Sequence, residues 1–373
     1  MSGAKVRVLV AEDSLTVRRR ICEVLEADGR FDIVGEAEDG KRAIDLCRGL
    51  RPDVITMDMV MPLMSGLSAT ELIMAHCPTP ILVVSGSENR GELFKTYDAL
   101  AAGAVDVLEK PGGDETPGVW EQHLCSAVGM VARIKVITHL RGRIAVAEES
   151  RPPGPSAEAA RAPTSPRVAG GQVSVARRVL CIGASTGGPG AVATVLTSMS
   201  APLPVPVLLV LHIDEPFGRA LAQWLDAQTG HRVRYPTPGE RLADAAGTVL
   251  MAPPGRHMAV RGGRVLLDDD APRHSCKPSV DVLFESVAGA VGPGAVGCLL
   301  TGMGKDGALG MLALDRRGAA TVAQDEATSV VYGMPREAVI LGAAQRVLPL
   351  HHIGAALAAL VGGQAQGRAE ARR

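Results

Sequence analysis

The chain has 373 residues, 46% apolar and 21% charged, with a formal net charge of −1. That is enough for two domains with separate cores, and it leaves no global field to draw in nucleic acid or anionic lipid. Only 2% of residues are aromatic, which counts against a base-stacking surface, so the cores must be built from Val, Leu, Ile, Ala and Met. The seven cysteines (22, 47, 77, 125, 181, 276 and 298) are odd in number and include no C-x-x-C pair, poor material for a disulfide framework or a structural zinc site. No apolar run approaches the ~20 residues of a membrane span. The N-terminal MSGAKVRVLVAEDS reaches an acidic turn too early for a signal peptide. A cytoplasmic protein is expected, with no nucleic-acid partner and no membrane insertion.

In chain order, VRVLVAE (6–12), FDIVGEAED (31–39), DVITMD (53–58), PILVVSG (80–86) and VDVLEKP (105–111) read as strands. Between them SLTVRRRICEVLEADG, GKRAIDLCRGL, SGLSATELIMAH and ELFKTYDALAAGA carry helical spacing. Five such repeats predict an α/β unit with a doubly wound, five-stranded parallel sheet. A helical segment over about 117–143 follows. From about 145 to 176 Pro, Ala, Ser, Arg and Glu dominate and periodicity is lost, as in a mobile linker.

New alternation begins at Val179. VLCIG (179–183), PVLLVLH (206–212), TVLMAPP (248–254), AVGCLLT (295–301), AATVAQD (319–325) and RVLPL (346–350) read as strands of a second, mostly parallel, Rossmann-like sheet. HMAVRGGRVLLDD (257–269) reads as a hairpin turning at Gly262-Gly263. GGQAQGRAEARR (362–373) reads as a frayed tail. The expected division is 1–125, a first domain; 126–176, helix and linker; and 177–365, a second domain.

In the first unit the chemistry-bearing residues fall at strand ends. Glu12 and Asp13 follow the first strand, Asp58 the third, Ser85 the fourth and Lys110 the fifth. The C-terminal ends of a doubly wound sheet share one crevice. Three carboxylates there make a hard oxygen site suited to Mg²⁺, with Lys110 as a point charge and Ser85 as a hydroxyl donor for a phosphoryl group. Taken singly, an acidic pair after a strand is more often a helix cap, and a lysine before proline a solvated loop residue. Together the residues resemble the receiver domain of two-component response regulators over roughly 5–125. The resemblance implies that Asp58 accepts phosphate, that Glu12 and Asp13 complete the Mg²⁺ pocket, and that Ser85 and Lys110 sense the phosphate. Many receivers carry an aromatic where this chain has Val107.

The second unit opens with VLCIGASTGGPG (179–190). No lysine follows the glycines, so this is not a P-loop. A dinucleotide fingerprint would need glycine where Ser185 stands, although Asp214 keeps an acidic ribose partner available. Strand ends offer a different set: Ser185, His212 after PVLLVLH, and Asp306 within TGMGKDG. A hydroxyl, an imidazole and a carboxylate suit nucleophilic hydrolysis, with oxyanion donors expected at Thr186 and near Met303. The bland readings are a helix cap for Ser185 or Asp306 and an interior histidine for His212; His257 and His274 remain rival bases. The order Ser, His, Asp differs from that of α/β-hydrolases.

IGASTGG (182–188), LHIDEPFG (211–218), CKPSVDVLF (276–284) and LTGMGKDGALGM (300–311) resemble the chemotaxis protein-glutamate methylesterases, the CheB family. The resemblance, with the receiver and linker, covers nearly the whole chain. It implies Ser185, His212 and Asp306 as catalytic residues, and hydrolysis of glutamate γ-methyl esters on methyl-accepting chemoreceptors with release of methanol. Glutamine deamidation in some members, a histidine-kinase phosphodonor, and no cofactor for ester hydrolysis are further implications. Ile213-Asp214 replaces the usual Met-Pro, and Lys277 a common arginine. A non-catalytic signalling adaptor and a nucleotide-binding regulator are the competing readings.

Overall fold

The computed structural model describes residues 4–86, 90–111, 118–134, 136, 178–215 and 217–362. The expected linker and the tail beyond Gly362 lie outside these residues. The first sheet contains β1 (Val6–Ala11), β2 (Phe31–Ala37), β3 (Val54–Met57), β4 (Ile81–Ser85) and β5 (Asp106–Glu109). All neighbours pair in parallel in the order β2-β1-β3-β4-β5. Strands β3 and β4 are buried at every position, as continuous apolar runs covered on both faces must be. The helices are α1 (Leu15–Asp28), α2 (Gly40–Leu50), α3 (Gly66–His76), α4 (Arg90–Ala101) and α5 (Val119–Val131). Side chains set their starts: Asp39 accepts from Arg42 N–H at 2.8 Å to open α2, and Ser65 accepts from Ser68 N–H at 3.3 Å to open α3. Strand order reverses between β1 and β3, so Glu12, Asp13 and Asp58 leave the sheet at its switch point.

The second sheet has seven strands: β6 (Val179–Ala184), β7 (Val207–Leu211), β8 (Arg232–Arg234), β9 (Thr248–Met251), β12 (Ala295–Leu299), β13 (Ala320–Gln324) and β14 (Arg346–Leu348). Their order is β14-β13-β12-β6-β7-β9-β8, again parallel throughout. Strand β8, three residues of an exposed edge, was not expected; RVR carries no apolar run. The hairpin forms a separate antiparallel pair, β10 (His257–Arg261) with β11 (Arg264–Asp268). Gly262 and Gly263 take φ of +56° and +72° at its tip, the left-handed pair that such a two-residue turn demands. The accompanying helices are α6 (Gly188–Thr197), α7 (Phe217–Thr229), α8 (Val280–Ala290), α9 (Ala308–Arg316), α10 (Met334–Ile340) and α11 (Leu350–Gly362). The switch point here lies between β6 and β12, which places Ser185 and the loop bearing Asp306 on either side of it.

The two units are packed together. Helix α4 lies against α6 and α7, and one buried apolar cluster runs from Tyr97 and Leu100 to Ala191, Phe217 and Trp224. Tyr97 donates its hydroxyl hydrogen to Phe217 O at 2.5 Å, and Trp224 Nε1–H donates to Asp98 Oδ1 at 2.8 Å. Their rings stand 5.7 Å apart between centroids. A Cβ on Gly190 would come within 3.1 Å of Leu100 O, so glycine lets the two helices approach.

Candidate active site

Ser185 is the first residue beyond β6. Its N–H donates to Thr301 O at 3.0 Å, and its carbonyl accepts from Gly188 N–H at 2.6 Å. Glycines shape the turn for a packing reason. A Cβ on Gly302 would lie 2.8 Å from Ser185 Cβ and 2.3 Å from Met334 Sδ, and one on Gly187, at φ +75°, would lie 2.6 Å from Val330 Cβ. Gly302 N–H is engaged by Val331 O at 3.0 Å. The N–H groups of Thr186 and Met303 have no backbone partner among the described residues. Thr301 braces the turn from below: its Oγ1 donates to Thr186 O at 3.0 Å and accepts from Val331 N–H at 2.9 Å.

His212 follows β7, and its N–H donates to Ala184 O at 3.1 Å, which sets it beside Ser185 on the neighbouring strand. Its Nε2 meets Asp306 Oδ2 at 2.9 Å. Asp306 does not cap α9, whose N-cap is Gly307; it sits at the start of α8 instead. Oδ2 also accepts from Val280 N–H at 2.7 Å, and Oδ1 accepts from Ser279 Oγ at 2.7 Å and Asp281 N–H at 3.0 Å. Burial works against this charge, but the His212 hydrogen bond and the donors of Ser279 and Asp281 outweigh it and hold the carboxyl below its ordinary range. For His212 burial opposes the charged ring, yet hydrogen bonds to Asp306 and Cys276 raise it to about 9.

Ser185 Oγ makes no hydrogen bond to the His212 ring among the described residues. The ring atom left over by Asp306, Nδ1, faces Cys276 Sγ at 3.7 Å. Ser279 and the start of α8, which hold Asp306, and Cys276, which faces the imidazole, were not anticipated; their only signal was their place in CKPSVDVLF. The rival histidines are engaged elsewhere. His257 is buried, with Nδ1 accepting from Ser279 N–H at 3.1 Å and Nε2 beside Ala271 O at 3.1 Å. His274 Nε2 meets Asp281 Oδ2 at 3.2 Å. Lys277 donates to Asp269 O at 2.9 Å, and the bidentate arginine–carboxylate pair of this region is Arg273 with Glu285 at 2.6 and 2.7 Å.

The first unit gathers its own carboxylates. Ligand oxygens of Glu12, Asp13 and Asp58 lie within 4.8 Å of one another. Lys110 Nζ stands 2.9 Å from Asp58 Oδ1 and 3.0 Å from Glu12 Oε2. Both Asp58 oxygens and Glu12 Oε2 are buried without a well-formed hydrogen bond. Burial pushes the Asp58 carboxyl up despite Lys110, and burial with Asp58 nearby raises Glu12 to about 7. Two buried carboxylates facing one ammonium leave an excess of negative charge, and the donor set is all oxygen. Both features fit a hard divalent cation.

Ser85 is turned toward α4. Its Oγ donates to Glu92 Oε1 at 3.1 Å and accepts from Thr96 Oγ1 at 3.0 Å. Thr96 precedes Tyr97 and Asp98, the residues that hold α7. Val107 packs with the cluster shared by both units. Beside it, Asp106 is pushed up to about 6 by burial, opposed by Val107 N–H, which donates to its Oδ1 at 2.9 Å. The first unit therefore packs on α6, the helix that follows the Ser185 turn.

Residues 8–116 match the family model described as response regulator receiver domain, and residues 180–357 match CheB methylesterase. The chain is thus a hydrolase joined to a receiver. It is 42% identical to a protein-glutamate methylesterase/protein-glutamine glutaminase of Nitrosospira multiformis, over 95% of this chain and 97% of that protein. The corresponding protein 2 of Anaeromyxobacter dehalogenans is also 42% identical, over 94% and 96%. A crystal structure of the Thermotoga maritima CheB methylesterase catalytic domain is 31% identical and covers 50% of this chain and 100% of that one, with a TM-score of 0.48. The chain belongs to the protein-glutamate methylesterase/protein-glutamine glutaminase family.

Proposed function

We propose that this protein is a phosphorylation-activated esterase that hydrolyses glutamate γ-methyl esters on chemoreceptors, and that the same site deamidates receptor glutamines. The contact between His212 Nε2 and Asp306 Oδ2 at 2.9 Å, one strand from Ser185, carries this reading. In the neutral ring, the form that acts as base, Asp306 fixes the tautomer that leaves a lone pair on Nδ1. Ser185 Oγ attacks the ester carbonyl as its proton passes to Nδ1, and the Thr186 and Met303 N–H groups take the oxyanion. Collapse expels methanol, which receives that proton. Water then repeats the sequence on the acyl-enzyme and frees the carboxylate. A catalytic hydrogen bond that is open before substrate arrives commonly tightens in the complex.

Asp58 is the phosphate acceptor in this reading, with a histidine kinase as donor. Glu12, Asp13 and Asp58 would hold Mg²⁺, which neutralises phosphoryl charge during transfer. Lys110 and Ser85 then meet the phosphate. Engagement of Ser85 by phosphate competes with its bonds to Glu92 and Thr96, and so acts on the helix whose next residues grip α7. The covering of the catalytic unit by the unphosphorylated receiver is supported by the packing of α4 on α6 and α7, the helices that follow Ser185 and His212. Residues 1–125 and 177–365 are the two functional units, joined by 126–176. A soluble cytoplasmic setting agrees with the absence, among the described residues, of any helix long and apolar enough to cross a membrane. Methanol release from labelled, methylated receptor tests the reading. Ser185→Ala should abolish it; release at the parental rate would overturn the assignment and favour a non-catalytic adaptor.

A further inference from the structure

Cys276 is the only one of the seven cysteines that is not buried, and its sulfur lies against the catalytic imidazole. The separation of 3.7 Å between Cys276 Sγ and His212 Nδ1 is that of a weak hydrogen bond involving sulfur. It is close to the distance between two ligands of one tetrahedral zinc: bonds of about 2.0 Å to nitrogen and 2.3 Å to sulfur put the two atoms roughly 3.5 Å apart. The second ring nitrogen already meets a carboxylate, Asp306, at 2.9 Å. That is the partner a zinc-bound histidine normally has, because it fixes the tautomer and directs the other lone pair at the metal. Candidate ligand atoms of His212, Cys276 and Asp306 all lie within 4.8 Å of one another. The sulfur is also held in place. Arg273 and Cys276 exchange backbone hydrogen bonds at 3.1 and 2.8 Å across a tight turn, and the thiol lies 3.5 Å from His274 O.

We propose that His212 Nδ1 and Cys276 Sγ form a site for a thiophilic divalent cation of the zinc class, and that its occupancy silences the esterase. On binding, the thiol proton leaves to solvent. The thiolate and the imidazole lone pair make the two protein bonds, water fills the remaining positions, and no oxidation state changes. The lone pair consumed is the one that must take the Ser185 proton, so metal and catalysis exclude each other. The oxygen-only pocket of Glu12, Asp13 and Asp58 prefers a harder ion, so ligand softness separates the two sites.

The test uses the full chain with excess Mg²⁺ to saturate the receiver pocket. Co²⁺ titration should produce a thiolate-to-cobalt charge-transfer band in the near ultraviolet, absent from Cys276→Ala and from His212→Gln. Zn²⁺ should stop methanol release and EDTA should restore it. In Cys276→Ala, read against its own zinc-free rate, the inhibitory midpoint should rise at least about tenfold. A band that persists in both variants, or an unchanged midpoint, overturns the proposal. Silencing rests on the esterase reading, whereas the cobalt spectrum does not. A chain that binds Co²⁺ through Cys276 but never releases methanol would therefore sink the function and keep the site.

Discussion

Two aspartates in loops that follow parallel strands, Asp58 and Asp306, are both almost fully buried and are treated in opposite ways. Asp306 receives hydrogen bonds on both oxygens from Ser279, Val280, Asp281 and His212, and its carboxyl is held below the ordinary range. Asp58 faces Lys110, its oxygens lack well-formed hydrogen bonds, and its carboxyl is pushed up by burial. A carboxylate whose lone pairs are all engaged is a fixed anion: it can orient an imidazole and stabilise it when charged, but it cannot act as a nucleophile. A carboxylate left short of donors is unstable as it stands and open to a cation and an electrophile. The same side chain becomes an anchor or an acceptor according to the donors around it.

The comparison can be broken at several points. Ser185→Ala should lower kcat by about three orders of magnitude or more, with receptor binding intact; a small loss would mean that Asp306 anchors a ring with no catalytic task. Acetyl phosphate should raise the parental rate about 5- to 150-fold, the usual range of coupling between sites, and Asp58→Asn should lose that response while keeping its basal rate. Ser279→Ala removes one charge-assisted bond to Asp306 and should lower kcat/KM roughly tenfold. Trp224→Phe removes the bond to Asp98 across the domain contact and should raise the unphosphorylated rate by a few fold, without altering the phosphorylated rate.

The smallest effect is on thermal stability in the absence of divalent cations. At neutral pH Asp306→Asn should lower Tm by several degrees, and Asp58→Asn should leave it unchanged or raise it. The signs follow from the two shifts. A carboxyl lowered in the folded state contributes stability above its ordinary pKa, and that contribution is lost on acidification. A carboxyl raised in the folded state contributes only below its ordinary pKa and loses that contribution as pH rises. The Asp58 difference should therefore shrink as pH falls toward about 4, whereas the Asp306 difference should persist there and shrink only at lower pH; equal behaviour of the two variants would remove the contrast.

Strand ends were the legible part of this molecule. Apolar runs such as DVITMD and AVGCLLT announce buried parallel strands, and a polar residue directly after one must emerge at the sheet's edge, which is how Glu12, Asp58, Ser185 and His212 could be found. Strand β8 was missed because three residues at a sheet edge bury too little to leave a pattern. Ser279 and Cys276 were not assigned a part because they reach Asp306 and the imidazole through loop geometry that depends on how α8 docks. The domain contact had a faint signal. In a chain with three tyrosines and two tryptophans, each aromatic is conspicuous, and Tyr97 and Trp224 meet each other. Periodicity says which face of a helix is apolar, but not which neighbour covers it.

The unbroken apolar layer between α4 and the α6–α7 pair has a consequence for dosage. If the receiver covers the catalytic unit as proposed, the two share one chain, so their encounter is set by a local effective concentration and not by how many copies a cell holds. Dilution cannot release the cover and overproduction cannot crowd it out. The fraction of open molecules is a property of each polypeptide, adjustable only by chemistry on that polypeptide.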